Sequence, residues 1–358
     1  MSIPNNRTWL PRDATPADRP SLTSVFNAAF KRNDPPELLD WRYDRNPHGK
    51  AWTVVAAAED NHELAGAYSY VPRMFMINGI ATKVFQASDA MVFPNWQRKG
   101  IFTKLDDLLA ERAAHEGVAF GFAFCGRRSQ KGFLANGWKG IAPYRTWTRI
   151  LKLTTAAFEA RRSDGRLRRA LLPLELLRAK SADAMIKKSL EGFSDRPIDQ
   201  FTENFDWPAA NQSIYGVRDA NYLQWRFHST PRRTHRPYHL LQNGRVVGFY
   251  DVECTKNGRG YLLDARGDGA ACEFAALAAA VERLRMLGAA AIQTTVVERS
   301  FLDTHIAKLG FEPPRDAEPL PFIIRIFTDN AASRAAMDAK NWYIFDGDRD
   351  AEGMAPND

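Results

Sequence analysis

Residues Ala87–Leu109 read ASDAMVFPNWQRKGIFTKLDDLL, and the change of pattern inside this stretch decides the fold. The part through Phe93-Pro94 reads as the end of a strand. Gln97, Arg98, Lys99 and Gly100 then form a short loop that leads directly into a helix, where Ile101, Leu105, Leu108 and Leu109 recur at spacings of three and four, as on one helix face. Gly117 is the expected stop. A helix start leaves backbone N–H groups unpaired and carries partial positive charge, an arrangement that suits a phosphate or pyrophosphate. Gly100 lets a ligand approach the backbone without a Cβ in the way. Arg98 and Lys99 add positive charge, and Thr103 offers a hydroxyl in the first turn. On physical grounds alone this is a strand–loop–helix anion site.

Working outward, the chain repeats itself. LLDWRYDRNP (Leu38–Pro47) and YLQWRFHSTP (Tyr222–Pro231) share Leu, one residue, Trp-Arg, an aromatic, three residues, Pro. A strand, a turn and a strand follow each copy, the latter carrying Gly66 or Gly248. Runs ending in ASDAMVF and GYLLDARG come next, then helical stretches ending at Gly117 and Gly288, buried strands VAFGFAF and AAIQTTVV, and final strand-like runs TWTRIL and FIIRIF. The ordered series predicts two copies of one α/β unit, with the repeated Trp-Arg stretch a short helix before the second strand of each. Leu and Trp would pack inward, and Pro47 and Pro231 would stop those helices. The expected domains are 1–150 and 200–358, with a basic helical linker over 151–199 whose apolar stripe reads either as a brace between units or as a docking face.

Composition bounds the rest. At 358 residues, 45% hydrophobic and 25% charged, the chain is long enough for two cores and has no run of the ~20 apolar residues that would span a bilayer. The polar N-terminus MSIPNNRTWL and three cysteines without a CxxC pair predict a cytoplasmic protein, without membrane insertion or a disulfide framework. Scattered histidines, with no HxxxH or HxH pair, predict no metal. There is no GxSxG turn and no GxxxxGK[ST] loop. The net charge of +7 is compatible with nucleic acid or with a polyanionic cofactor, and nothing in the sequence settles oligomeric state.

The run Gln97-Arg98-Lys99-Gly100-Ile101-Phe102, with V-x-P before it and a helix after it, resembles the acetyl-coenzyme A loop of the GCN5-related N-acetyltransferase (GNAT) superfamily. The resemblance covers the first 150 residues; the second unit looks like a diverged copy. It implies an α/β fold of two GNAT-like units, each a mixed, mostly antiparallel twisted sheet flanked by helices. It also implies an acetyl-CoA-dependent N-acyltransferase acting on a primary amine of a small molecule, an amino sugar for example. Acetyl-CoA would lie against Met91, Val92, Phe93, Gln97, Arg98, Lys99, Gly100, Ile101, Phe102 and Thr103, with Met91, Val92 and Phe93 pairing with the pantetheine arm on a strand parted from its neighbour.

The sequence departs from the family at three places. Phe102 stands where the family has a small residue. Gly126 and Phe133 align with the Asn and Tyr that serve cofactor and thiolate, which leaves Tyr144 or water as the acid. Asp89, on the cofactor strand, is the candidate base, directly or through water. The second unit has LLDARGDGAACEF in place of the loop, and Asp264 and Asp268 put negative charge where phosphates would sit. The alternatives are a FemX-like transferase using aminoacyl-tRNA, against which the loop speaks, and a non-catalytic binding protein of the same fold; a nucleic acid partner is not expected.

Overall fold

The computed structural model describes residues 8–60, 63–161, 166–208, 212–231, 234–314 and 318–349. It divides into two compact units, each made of more than one stretch of chain. Unit 1 comprises Met1–Met74, Lys83–Gly140 and Ile323–Arg334; unit 2 comprises Phe75–Thr82, Ile141–Phe322 and Ala335–Asp358.

Unit 1 begins with β1 (Trp9–Asp13), α1 (Arg19–Phe30) and α2 (Pro36–Leu39), which passes into a π-helical turn, Asp40–Asp44. Next come β2 (Trp52–Ala58), β3 (Leu64–Ile77) and β4 (Ile80–Val92). Then follow α3 (Ile101–His115), β5 (Phe120–Phe124) and α4 (Gln130–Ala135). The sheet runs in the order β1-β2-β3-β4-β5 and continues with residues 323–326 of a strand from the far end of the chain. β3 turns into β4 at Asn78-Gly79, both at positive φ, as a two-residue hairpin of the I′ kind requires. Its core gathers Val54, Tyr68, Tyr70, Phe85, Trp96, Leu105, Leu109, Phe133 and Trp138.

Unit 2 contains β6 (Lys139–Ile150), α5 (Thr155–Ala160), α6 (Arg166–Ala170), α7 (Leu172–Ser189) and β7 (Phe193–Pro197). It continues with β8 (Ile214–Gly216), α8 (Ala220–Leu223), a second π-helical turn Gln224–His228, β9 (Arg236–Gln242), β10 (Arg245–Cys254) and β11 (Arg259–Gly267). Last are α9 (Ala270–Met286), β12 (Ala291–Val297) and β13 (Leu320–Ile326). Only residues 320–322 of β13 belong to this unit, and its sheet order is β6-β12-β11-β10-β9-β7. β8 pairs with residues 75–77 of the hairpin tip.

In each unit antiparallel strands precede a long helix, and the strand after that helix joins in parallel: β4 with β5 across α3, β11 with β12 across α9. The expected mixed, mostly antiparallel sheets flanked by helices are what the chain forms. The expected boundaries differ from the compact units. The cut at 150 falls after β6, nearly all of which packs with unit 2, and residues 323–334 return to unit 1. The expected linker, 151–199, is part of unit 2: Leu172, Ala179, Ala182 and Ile186 of α7 are buried, and β7 is the edge strand beside β9.

The repeated Trp-Arg stretch forms the same object twice, one α-turn followed by a five-residue π-turn. Leu39, Trp41 and Tyr43 are buried, as are Leu223, Trp225 and Phe227. Arg42 and Arg226, which an amphipathic reading would turn outward, are buried too.

At the start of unit 1, Arg12 clamps Asp18 with two hydrogen bonds of 2.7 Å, and Thr15 donates to the same carboxylate through its N–H and hydroxyl. Arg12, helped by Thr15, holds the Asp18 carboxyl well below the ordinary carboxylate range. A depressed carboxyl stabilises the fold above its unfolded value of about 3.9 and loses that contribution as pH falls through the folded value. The urea midpoint of Asp18→Asn should therefore drop less than that of the parent between about pH 6 and about pH 3; equal drops would contradict the clamp.

Candidate functional site

The site starts from a break in β4. Asp89 sits at φ +55 in mid-strand, a left-handed conformation that a non-glycine residue adopts at a bulge. Parallel pairing of β4 with β5 is confined to Phe85–Gly121 and Gln86–Phe122, yet β4 runs on to Val92 and β5 to Phe124. The two strands part beyond Gln86. Met91 is buried there, and Val92 and Phe93 are half-buried.

After Phe93 the chain makes a single 3-10 turn, Pro94–Trp96, then Gln97 and Arg98, the latter at φ +64. Trp96 is fully buried and pins the loop to the core. Lys99 lays its ammonium 4.7 Å from the Trp96 ring centre, a cation–π contact that orders the side chain. Gly100, at φ +74, caps α3; its site for a Cβ has no heavy atom within 4 Å. The first helical bond runs from Lys104 N–H to the Gly100 carbonyl. The N–H groups of Ile101, Phe102 and Thr103 therefore have no partner within the helix. Gln97, Arg98, Gly100 and Thr103 are exposed, so the helix start is open.

Gly66 on β3 lets this corner close. A Cβ there would stand 2.6 Å from the Met91 carbonyl oxygen and 3.2 Å from the Ile101 side chain. Only glycine permits β4 and the first turn of α3 to come this near. Gly248 on β10 meets the Arg266 carbonyl oxygen at the same 2.6 Å. Gly66→Ala should force β4 and the start of α3 apart and lower the unfolding midpoint, because the clash is with backbone in a buried corner; a midpoint equal to the parent's would contradict the close approach.

Asp89 is held, not free. Arg42 Nη1 donates to both its oxygens, at 2.8 and 2.6 Å, and the Tyr43 hydroxyl donates at 2.7 Å. Burial, together with the Asp89 charge, pushes the Tyr43 phenol well above its ordinary range, so it stays a proton-bearing donor. The π-turn of the first repeat thus locks the bulge of the parted strand. Phe102 is half-buried, its ring centre 5.6 Å from that of Tyr68 and 5.0 Å from that of Phe133. Phe133, at the position of the family's acid, fills this aromatic cluster. Tyr144 is buried on β6 in unit 2, opposite Val297, with the Arg349 guanidinium 5.5 Å from its ring centre. The loop, the parted strand and Asp89 thus lie together in unit 1, and Tyr144 belongs to unit 2.

Sequence reasoning missed Asp106. It lies one turn inside α3, next to Leu105 of the apolar face, and it is fully buried. Tyr70 Oη donates to it at 2.8 Å, Asn136 Nδ2 at 2.7 Å and Trp138 Nε1 at 2.9 Å, and Arg325 pairs with it. Leu108, expected on the buried face, is only half-buried. An Asp one residue from another Asp carries no local signal of burial, because its ion-pair partner is 219 residues away.

Unit 2 has a similar parting with different contents. β11 pairs with β12 only from Arg259 to Tyr261, though it continues to Gly267. Residues 343–349 fill the gap. Tyr343 Oη donates to the Ala265 carbonyl at 2.6 Å, Arg349 donates to Thr295 Oγ1, and Asp348 joins Asp264 around the buried Arg218. The start of α9 is exposed at residues 268–271 but has no Lys or Arg among residues 267–274, and Asp268 puts a negative charge there. A Cβ on Gly267 would lie 2.2 Å from the backbone of Cys272 and Glu273.

Unit 1 thus has one parallel pair that parts near a bulge, with an exposed helix start beside it. Residues 11–130 match the acetyltransferase (GNAT) domain family. The matched stretch, about a third of the chain, is the part that carries the parted strand and the basic loop, and it is similar to that acetyltransferase domain. Solved structures share the fold at low identity. A GCN5-related N-acetyltransferase from Anabaena variabilis ATCC 29413 is 9% identical with a TM-score of 0.58, over 89% of this chain and 73% of that one. One from Kribbella flavida is 13% identical with a TM-score of 0.53, over 95% and 75%. The N-myristoyltransferase of Saccharomyces cerevisiae, solved with bound myristoyl-CoA, is 11% identical with a TM-score of 0.54, over 91% and 80%. No curated protein matches the chain. No helix among the described residues is long and apolar enough to cross a membrane, and no described group of three or more His, Cys, Asp or Glu could hold a metal.

Proposed function

We propose that the chain transfers an acetyl group from acetyl-CoA to a primary amine of a small molecule, an amino sugar being the example to test first. The observation that carries this reading is the parting of β4 and β5 beside an open, glycine-capped helix start. The residues fit the donor. The N–H groups of residues 101–103 and the Arg98 side chain would take the pyrophosphate. The backbone of Met91, Val92 and Phe93, which lies beyond the last pairing with β5, would meet the pantetheine amides, setting the thioester between the parted strands. Lys99, drawn onto Trp96, would add charge at the edge of the loop. The N-myristoyltransferase neighbour, solved with an acyl-CoA, supports an acyl-CoA donor. We read the two units as a tandem of one fold, the second without a coenzyme, because its helix start carries Asp268 in place of a basic loop and its strand gap is filled from the C-terminal side.

The amine must lose a proton before it attacks the thioester carbonyl. Asp89, expected as the base, has both oxygens engaged by Arg42 and Tyr43, which favours a positioning role: it fixes the bulge that turns β4 toward the donor. The proton then leaves through water. The departing thiolate, with a conjugate pKa of about 8.5, needs little help from an acid. Tyr144 is the side chain proposed to give it.

Release of coenzyme A thiol from acetyl-CoA over a panel of primary amines tests the function. Turnover with at least one amine is expected; acetyl-CoA binding without transfer to any would turn the reading to a binding protein. In the same assay Tyr144→Phe should lower kcat about tenfold, less than the roughly hundredfold or more usual for a general acid because the thiolate leaves with little help, with KM unchanged. An unchanged kcat removes Tyr144 from the chemistry.

A further inference from the structure

The segment joining β6 to β7 has an outer face that neither the core nor the acyl-transfer reading uses. Six of the eleven large apolar side chains exposed among the described residues lie here: Leu153, Phe158, Leu171, Leu174, Leu177 and Met185, each between 40% and 62% exposed. α5 and the start of α7 pack through a shared small core containing Ala157 and Leu172, so Phe158 and Leu171 flank neighbouring core positions. On α7 the inner face is Leu172, Glu175, Ala179, Ala182 and Ile186, a helical series that leaves Leu174, Leu177 and Met185 on the outside.

Charge accumulates on the same segment. Between residues 152 and 191 there are ten Lys and Arg against five Asp and Glu, a surplus of five within a chain whose net charge is +7. The acids of α7 are already matched: Glu175 turns inward to Arg161, and Asp183 pairs with Arg149 and Arg285. Lys180, Lys187 and Lys188 stand exposed on the helix that carries the apolar stripe. Leucines standing on a convex helix, with lysines long enough to reach past them, match a plane with an apolar interior and an anionic surface.

We infer that the α5–α7 face of unit 2 docks peripherally on an anionic lipid surface, with Leu174, Leu177 and Met185 entering the headgroup boundary and Lys180, Lys187 and Lys188 meeting lipid phosphates. The occupant is chosen by charge complementarity: electrostatic attraction draws such a helix to anionic lipid, and apolar insertion holds it there. The inference does not depend on the acyl-transfer reading.

Co-sedimentation of the full chain with vesicles tests it. With equal parts phosphatidylglycerol and phosphatidylcholine most of the protein should pellet, and with phosphatidylcholine alone at least about tenfold less. Raising the salt should release it, since surface charge is screened within about 8 Å at physiological ionic strength. Leu174→Glu with Leu177→Glu, both at exposed positions, should abolish pelleting without changing the unfolding midpoint. Lys180→Glu with Lys187→Glu should do the same by removing the charge. Equal pelleting of parent and variants, or none with either vesicle, overturns the inference. So does a dimer in sedimentation equilibrium that Leu177→Glu dissociates, because the face would then belong to a second copy of the chain.

Discussion

Gly100→Glu is expected to abolish the thermal stabilisation that acetyl-CoA gives the parent protein. Gly100 holds φ +74 at the start of α3, where an L side chain costs about 1–2 kcal/mol. The position is open, so that cost is paid in backbone strain and not in a clash. The larger effect is charge. A carboxylate about 4 Å from a phosphate is repelled by roughly 4 kcal/mol at an effective dielectric of 20. Half of that would weaken binding about thirtyfold, and all of it by nearly a thousandfold. A ligand at a hundred times its dissociation constant stabilises by about 2.7 kcal/mol, and a hundredfold loss of affinity leaves only about 0.4 kcal/mol. Gly100→Ala is the control: it carries the strain without the charge and should keep most of the stabilisation. An undiminished shift in Gly100→Glu would mean that the donor does not lie at this helix start.

Asp106→Ala should be the most destabilising single substitution in unit 1. It leaves Tyr70, Asn136 and Trp138 with donors that have lost their acceptor, and Arg325 without the carboxylate opposite it. Breaking a buried charge pair from one side costs about 3–5 kcal/mol. Arg325 keeps Asp107 at 3.0 Å, which places the loss toward the lower end of that range. Asp106→Asn retains an acceptor but not the charge and should lie between the two. Urea unfolding followed by Trp fluorescence reads the loss. Because Arg325 anchors residues 323–334, limited proteolysis should also cut that segment faster in the variant. A variant within about 1 kcal/mol of the parent would show that these donors find water instead.

The parts of the fold that declare themselves locally were legible in the sequence. The turn of pattern at Phe93-Pro94, the basic loop, the helix that stops at Gly117 and the recurrence of the Trp-Arg stretch all mark elements that exist. Arg42 and Asp89 could each be picked out, but not as a pair, since 47 residues and a strand bulge separate them. The repeat marks the position of Arg42 but not what it holds. Arg226 sits in the same π-turn yet bonds to the Gly347 and Arg349 carbonyls. The turn is common to both units, and what its arginine holds differs: a bulged strand in one, the segment filling the strand gap in the other. The return of residues 323–334 to unit 1 was illegible for a related reason. FIIRIF reads as a strand anywhere, and which sheet it completes depends on Phe327 reaching Gly121 and Arg325 reaching Asp106.

The most direct measurement is the stoichiometry of acetyl-CoA binding by isothermal titration calorimetry. The helix start at Gly100 follows a basic loop, and the corresponding start at Gly269 follows Asp268 with no Lys or Arg beside it, so one molecule per chain is expected, with binding lost in Gly100→Glu. Two molecules per chain, or one that survives Gly100→Glu, would contradict the assignment of the donor to unit 1.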